Sequence, residues 1–133
     1  METKDARVTA LKTRLSLPDD LTESTRIEQA FLDAARQVPP SPSPGYFPEI
    51  PFCRDFGSYL GDLLIKYRPQ LKWEFSDPSH ENDIYQWQPV VMTPLGFPIE
   101  PVALCLTFYS KAKYGAEVGA ARLFERWIAA RER

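Results

Sequence analysis

The sequence predicts a single compact α+β domain, residues 1–133, in which a short antiparallel sheet packs against three to four helices. Two observations favour this fold class. The 133 residues are 44% hydrophobic and include three Trp, six Tyr and eight Phe, which is enough apolar surface for one core without metals or disulfides. Two segments show the alternation of apolar and polar residues that is typical of strands. Segments with apolar residues at helical spacing precede and follow them.

The first two predicted elements differ in clarity. Residues 1–16 carry mixed charge and a weak apolar pattern, so they form either a short helix or a flexible N-terminal segment. Over residues 27–38, apolar side chains recur at steps of three and four, which is typical of an amphipathic helix. Thr22 or Ser24 is predicted to cap this helix at its N-terminus. Pro39 is predicted to end it, because proline lacks an N–H and constrains the preceding residue.

Residues 39–52, PPSPSPGYFPEIPF, contain six of the thirteen prolines of the chain. A flexible linker between domains is usually polar or repetitively proline-rich. This segment instead carries Tyr46, Phe47, Ile50 and Phe52, whose burial is favourable. We therefore predict a strap that crosses the domain surface and is anchored by these four side chains.

Residues 52–67 are predicted to form a helix with a wide apolar face. Gly57 and Gly61 lie one turn apart inside it, and each costs about 1 kcal/mol relative to alanine in a helix interior. Close approach of another element explains two such residues in a strong helix. We therefore expect a neighbouring helix or the sheet to pack tightly against the glycine side.

Two alternating segments follow. LKWEF, residues 71–75, and IYQWQPVVMT, residues 84–93, place apolar and polar side chains on opposite faces. A polar loop joins them, so they are predicted to pair as antiparallel strands. Pro89 cannot donate to a ladder, which predicts an edge position or a bulge at that point.

The C-terminal third contains two further elements. Residues 101–113 fit either a third strand, because ALCLTFY is rich in β-formers, or a helix that Pro101 opens at its first position. The spacing of the apolar residues favours the helix. A last helix is predicted over residues 116–131. Its inward residues are predicted to be Ala116, Ala120, Leu123, Phe124, Trp127 and Ile128, and its outward residues Arg122, Glu125 and Arg126.

Signatures of catalysis and metal binding are sparse. His80 is the only histidine and lies in a polar loop, so a solvated side chain is expected, and zinc needs more imidazole or thiolate ligands than the chain offers. Cys53 and Cys105 lie in apolar stretches, which predicts buried free thiols. No catalytic residue, cofactor or metal is therefore expected, and enzymatic activity stays open. The absence of a signal peptide pattern or an apolar membrane span predicts a cytoplasmic protein.

Charge is unevenly distributed. Residues 70–100 contain one basic residue and five acidic ones, whereas residues 111–133 contain six basic and three acidic residues. The acidic hairpin also carries aromatic side chains, which interface cores favour, and the acidic middle argues against nucleic acid as a partner. We therefore predict that it binds a basic protein. The candidate contact residues are Glu74, Asp77, Glu81, Asp83, Tyr85 and Trp87.

Residues 52–106 carry one resemblance. FGSYLGDLLIKYRPQLKWEF followed by QPVVMTPLGFPIEPVALC resembles a pattern in small uncharacterised bacterial domains, some of which are similar to immunity or accessory proteins found beside toxin systems. The resemblance is carried by glycine, tryptophan and proline, so it implies the fold. Together with the acidic hairpin it favours a non-enzymatic protein-binding domain, such as an immunity-type inhibitor or accessory protein. The alternative is a small-molecule-binding or enzymatic domain with a pocket between hairpin and helices, lined by Tyr59, Trp73, Tyr85 or Trp87.

Overall fold

The structure, a computed structural model, describes residues 4–39, 47–75, 89–92 and 98–131. Within these residues the chain forms five helices and one antiparallel sheet of three short strands, which confirms the predicted α+β class. The elements in chain order are α1 Lys4–Leu15, α2 Ser24–Arg36, α3 Glu49–Tyr67, β1 Lys72–Phe75, β2 Pro89–Met92, β3 Pro98–Ile99, α4 Pro101–Lys113 and α5 Ala120–Arg131.

The sheet has the order β1-β2-β3, and both pairings are antiparallel. Pro89 is opposite Phe75 and is the first residue of the central strand. The prediction of an edge strand or a bulge at Pro89 is therefore wrong, because a proline at the first position of a strand removes little from the ladder. Strand β3 is only two residues long, and a segment this short shows no alternation in sequence.

Helix α3 lies at the centre of the fold. It packs against α1 and α4, while α2 packs against α4 and α5, and β2 lies on α3 and α4. An aromatic cluster joins three of the helices: the Phe31 ring of α2 lies 4.9 Å from that of Phe56 in α3 and 6.2 Å from that of Phe108 in α4. Burial of one large apolar side chain contributes about 1.5–3 kcal/mol to the stability of the fold. These aromatic contacts therefore stabilise the core.

The two glycines of α3 sit where the helix is approached most closely. A Cβ atom added to Gly57 would lie 2.8 Å from the backbone N and Cα of Val102 in α4. A Cβ atom added to Gly61 would overlap the indole ring of Trp73 in β1. The predicted close packing is confirmed, and each of the two expected neighbours, a helix and the sheet, is present at one glycine.

Two regions that the sequence left open are helical. Residues 4–15 form α1, whose Val8 and Leu11 are buried in the core. Residues 101–113 form α4, with Pro101 in its first turn as expected. In this position the missing N–H of proline costs no hydrogen bond. Along the described parts of the chain, every helix is too short or too polar to cross a membrane.

The N-termini of α2 and α5 differ from the predictions. Glu23, not Thr22 or Ser24, is the N-cap residue of α2, and it makes no side-chain cap hydrogen bond. The Ser24 hydroxyl instead donates to Glu125 at 3.5 Å. Helix α5 begins at Ala120 rather than residue 116, because Gly119 has a φ of +73° that helical residues do not adopt. Ala116, predicted to point inward, is exposed.

The predicted strap over residues 39–52 is partly incorrect. Residues 49–52 form the first turn of α3, because prolines in a first helical turn break no hydrogen bond. Phe47 and Ile50 are 53% and 39% exposed, so they are not the anchors that we expected. Phe52 does pack inward, with its ring 5.5 Å from that of Phe31. Tyr46 and the rest of residues 40–46 lie outside the described residues.

Candidate functional site

The predicted acidic surface is described at one of its six candidate residues. Glu74 lies in β1 and its side chain is exposed. The remaining candidates and His80 lie outside the described residues. These candidates are Asp77, Glu81, Asp83, Tyr85 and Trp87.

The two faces of β1 have different environments. Trp73 faces α3 and is opposite Val91, which is fully buried. Lys72 and Glu74, on the other face, are exposed. Because side chains alternate along a strand, the exposed face of β1 is the one that carries Glu74.

The base of the hairpin is fixed by the strand register. Phe75 at the end of β1 pairs with Pro89 at the start of β2. Residues 76–88, which connect the two strands, lie outside the described residues. Together with Glu74 this connection carries four carboxylates and no lysine or arginine. Below, "acidic segment" means residues 74–88.

One carboxylate joins the sheet to the helices. Asp62 Oδ1 in α3 accepts hydrogen bonds from Lys4 Nζ at 2.6 Å and from Trp73 Nε1 at 2.8 Å. The Lys4 ammonium also lies 5.0 Å from the centre of the Trp73 ring, within the range of a cation–π interaction. We call these three residues the Asp62 cluster. Trp73 therefore has a structural role in holding β1 on α3.

A second carboxylate of α3 lies among arginines. Asp55 Oδ1 accepts a hydrogen bond from Arg7 Nε at 3.1 Å, and Arg54 Nε lies 3.7 Å from the same oxygen. A cleft of about 320 Å³ opens at this point between α1 and α3. We call it the arginine cleft. Its lining residues are Arg7, Ala10, Leu11, Arg14, Arg54 and Asp55.

The sequence analysis did not identify the arginine cleft. A signal was present, because Arg7 and Arg14 are seven residues apart and so lie on the same face of a helix. That spacing does not reveal what the face meets. The partner, Asp55, is more than forty positions away in sequence.

An open groove lies between β3, α4 and α5 and is mostly apolar. Its volume is about 380 Å³, which is within the size range of small-molecule sites. The expected pocket-lining residues Tyr59 and Trp73 are not part of it: the Tyr59 hydroxyl is buried and donates to the Pro18 carbonyl at 2.7 Å. The residues that line the groove are Ile99, Glu100, Ala103, Leu104, Thr107, Leu123 and Trp127.

Both cysteines are buried free thiols, as predicted. Burial raises the pKa of the Cys53 thiol to about 12 and raises the pKa of Cys105 well above its ordinary value. At neutral pH both are therefore protonated, and the protonated thiol is a poor nucleophile. Elsewhere in the described structure, no three His, Cys, Asp or Glu side chains are grouped closely enough to hold a metal ion.

Comparison with known proteins found no matching family model, no matching curated protein and no matching solved structure. The similarity of residues 52–106 to immunity-like domains thus stays a prediction.

Proposed function

We propose that this chain is a cytoplasmic, non-enzymatic protein-binding domain that contacts a basic partner through the acidic segment. The observation that carries this proposal is the register at the base of the hairpin. Phe75 and Pro89 are paired, so the two strand residues next to the connection 76–88 are fixed beside each other on the sheet. A surface whose two ends are fixed loses less conformational freedom on binding than a free tail.

The chemistry of the acidic segment favours a basic partner. Its four carboxylates have no basic residue among them in sequence, and Glu74 at its start is exposed. Such a concentration of one charge sign speeds association with a surface of opposite charge. Tyr85 and Trp87 add the side-chain types that most often dominate interface energies.

An immunity-type inhibitor or an accessory protein fits these properties. A protein of either type acts by covering the surface of its partner, which requires complementary shape and charge and no catalytic group. The resemblance over residues 52–106 supports the same class. The partner in this proposal is therefore a basic protein whose active or assembly surface the acidic segment covers.

The test is affinity capture from the native host with three baits, followed by mass spectrometry. The baits are the wild type, the Glu81→Lys/Asp83→Lys variant, and a Glu117→Lys control on the exposed turn between α4 and α5. We expect a basic protein that wild type and control retain and the double variant loses. Its association rate should fall as salt is raised from about 0.05 to 0.5 M, because the Debye length shortens. Equal capture by all three baits, with no salt dependence, would contradict the proposal.

The groove between β3, α4 and α5 supports a second candidate, a site for a small apolar ligand. The partly buried Leu104, Leu123 and Trp127 line it. Tryptophan fluorescence reports occupancy in a screen of small apolar compounds, with Trp127→Phe as the control that removes the contribution of the groove. A ligand that changes this fluorescence, is lost in Leu104→Arg and is insensitive to salt would favour this function over binding by the acidic segment.

A further inference from the structure

The lining of the arginine cleft contains more positive than negative side chains. Three guanidinium groups, those of Arg7, Arg14 and Arg54, line it together with a single carboxylate, Asp55. The local net charge is thus +2, in a chain whose overall charge is −2. From this imbalance we infer that the arginine cleft is a binding site for a phosphate group.

The hydrogen-bond geometry shows which donors are engaged. Arg7 Nε donates to Asp55. Arg54 Nε is buried and has no hydrogen-bond acceptor among the described residues; its distance to Asp55 Oδ1, 3.7 Å, is too long for a hydrogen bond. A buried donor without an acceptor is unfavourable. An oxyanion in the cleft would not reach this buried nitrogen. It would instead neutralise the charge of the Arg54 guanidinium, whose side chain is 41% exposed.

The exposed side chain of Arg14 completes the site. It lies seven residues after Arg7 on α1, which places both on the same helical face. Arginine presents a planar fork of N–H donors that matches phosphate oxygens. The apolar Ala10 and Leu11 form the floor beside these donors, and apolar walls reduce the screening of charge by water.

The charge of the cleft fits a phosphate group, and its volume accommodates one. A volume of about 320 Å³ is within the range of small-molecule sites, so it has room for a phosphate group and for part of a molecule that carries it. A phosphate near neutral pH carries between one and two negative charges, which matches the net +2 of the lining side chains. Inorganic phosphate and the terminal group of a phosphomonoester share this chemistry.

This inference does not rest on the proposed function. The arginine cleft lies between α1 and α3 and is positive, whereas the acidic segment lies between β1 and β2 and is negative. A failure of one proposal therefore leaves the other unaffected.

The experiment is an NMR titration of the folded protein with sodium phosphate at pH 7, with sodium chloride added to hold ionic strength constant. The reporter is the Nε–Hε signal of Arg54. We expect a saturable shift with a dissociation constant at or below about 1 mM. Phenyl phosphate is titrated in parallel: tighter binding than inorganic phosphate assigns the site to a phosphomonoester, and weaker binding assigns it to the free ion.

Variants distinguish a site from general attraction between ions. Arg14→Gln removes an exposed guanidinium of the cleft, and Arg122→Gln removes an exposed one on α5. Arg14→Gln should weaken phosphate binding at least about tenfold, whereas Arg122→Gln should leave it unchanged, because Arg14 lines the cleft with its fork of donors and Arg122 does not. A linear, non-saturating shift, or equal weakening by the two substitutions, would overturn the inference.

Discussion

Helix α3 presents two carboxylates to α1, and they differ in how completely their charge is balanced. Asp55 and Asp62 are seven residues apart, which places them on the same face about 10 Å from each other. Asp62 meets one cation, Lys4, and one neutral donor, the indole of Trp73. Asp55 lies among three guanidinium groups.

Burial does not separate the two carboxylates, because their side chains are 26% and 36% exposed. The two carboxylates differ in the balance of charge around them. At Asp62 the two donors are aimed at a single oxygen, so the cluster is complete and holds three elements together. Asp55 is the one carboxylate in a cleft that three arginines line. The balanced charges of the Asp62 cluster indicate a structural role. The excess of positive side chains in the arginine cleft indicates a binding site for an anion.

The largest expected effect comes from disrupting the Asp62 cluster through its neighbour Gly61. In Gly61→Leu the new side chain would occupy the volume of the Trp73 ring, so the indole must leave Asp62. We expect a loss of about 3 kcal/mol in the free energy of unfolding, at the upper end for overpacked cores. Urea denaturation measures this, with Thr13→Leu on the exposed side of α1 as the control. A melting temperature at or above that of wild type would show that Gly61 is not closely packed.

A direct change to the same cluster should have a smaller effect. Asp62→Ala removes the acceptor of both Lys4 and Trp73. Hydrogen bonds to a charged group contribute about 1.5–3 kcal/mol, and partial exposure lowers this, so we expect a loss of about 2 kcal/mol. The tryptophan emission of the folded protein should also shift, because the indole of Trp73 loses its hydrogen bond to Asp62. A decrease in unfolding free energy of less than about 0.5 kcal/mol, the range of neutral surface substitutions, would contradict a structural role for Asp62.

The smallest effect on stability is expected at the other carboxylate. Asp55→Asn keeps an oxygen that can accept from Arg7 Nε but removes the negative charge. We expect a change in unfolding free energy below about 1 kcal/mol, as for partly exposed ion pairs. Phosphate affinity should rise, because the net charge of the arginine cleft increases by one. Calorimetric titration checks this, and weaker phosphate binding in Asp55→Asn would contradict it.

Local patterns in the sequence were sufficient to predict a structural feature where one physical cause dominates. The paired Gly57 and Gly61 predicted close packing because glycine inside a strong helix has a cost that only contact can offset. Pro101 predicted the start of α4 because its position in a first turn is favourable. The alternation in residues 71–75 predicted β1 for a similar reason, since burial of one face imposes a period of two.

Other features depend on contacts that local patterns do not contain. Phe47 and Ile50 are apolar, yet they are exposed. Burial of an apolar side chain depends on whether a distant element packs against it, and the residue type alone does not show this. The N-terminus of α2 lacks the expected side-chain cap because Ser24 bonds to Glu125 of a distant helix. The arginine cleft joins side chains of α1 and α3 in the same way. In each case the deciding partner is far away in sequence.

Equilibrium unfolding in phosphate and in chloride of equal ionic strength tests the contrast between the two carboxylates most directly. The proteins are wild type, Asp62→Ala and Arg14→Gln. At phosphate near ten times its dissociation constant, binding should raise the unfolding free energy of the wild type by about 1.4 kcal/mol. Any general stabilisation by phosphate salts is common to all three proteins and cancels in the comparison.

We expect Asp62→Ala to be less stable than wild type in both salts and to keep the full increment from phosphate. Arg14→Gln should match wild type within about 0.5 kcal/mol in chloride, as exposed substitutions usually do, and should lose the increment. In the opposite pattern, phosphate would stabilise Arg14→Gln as much as wild type and would no longer stabilise Asp62→Ala. That result would contradict a structural role for Asp62 and phosphate binding in the arginine cleft.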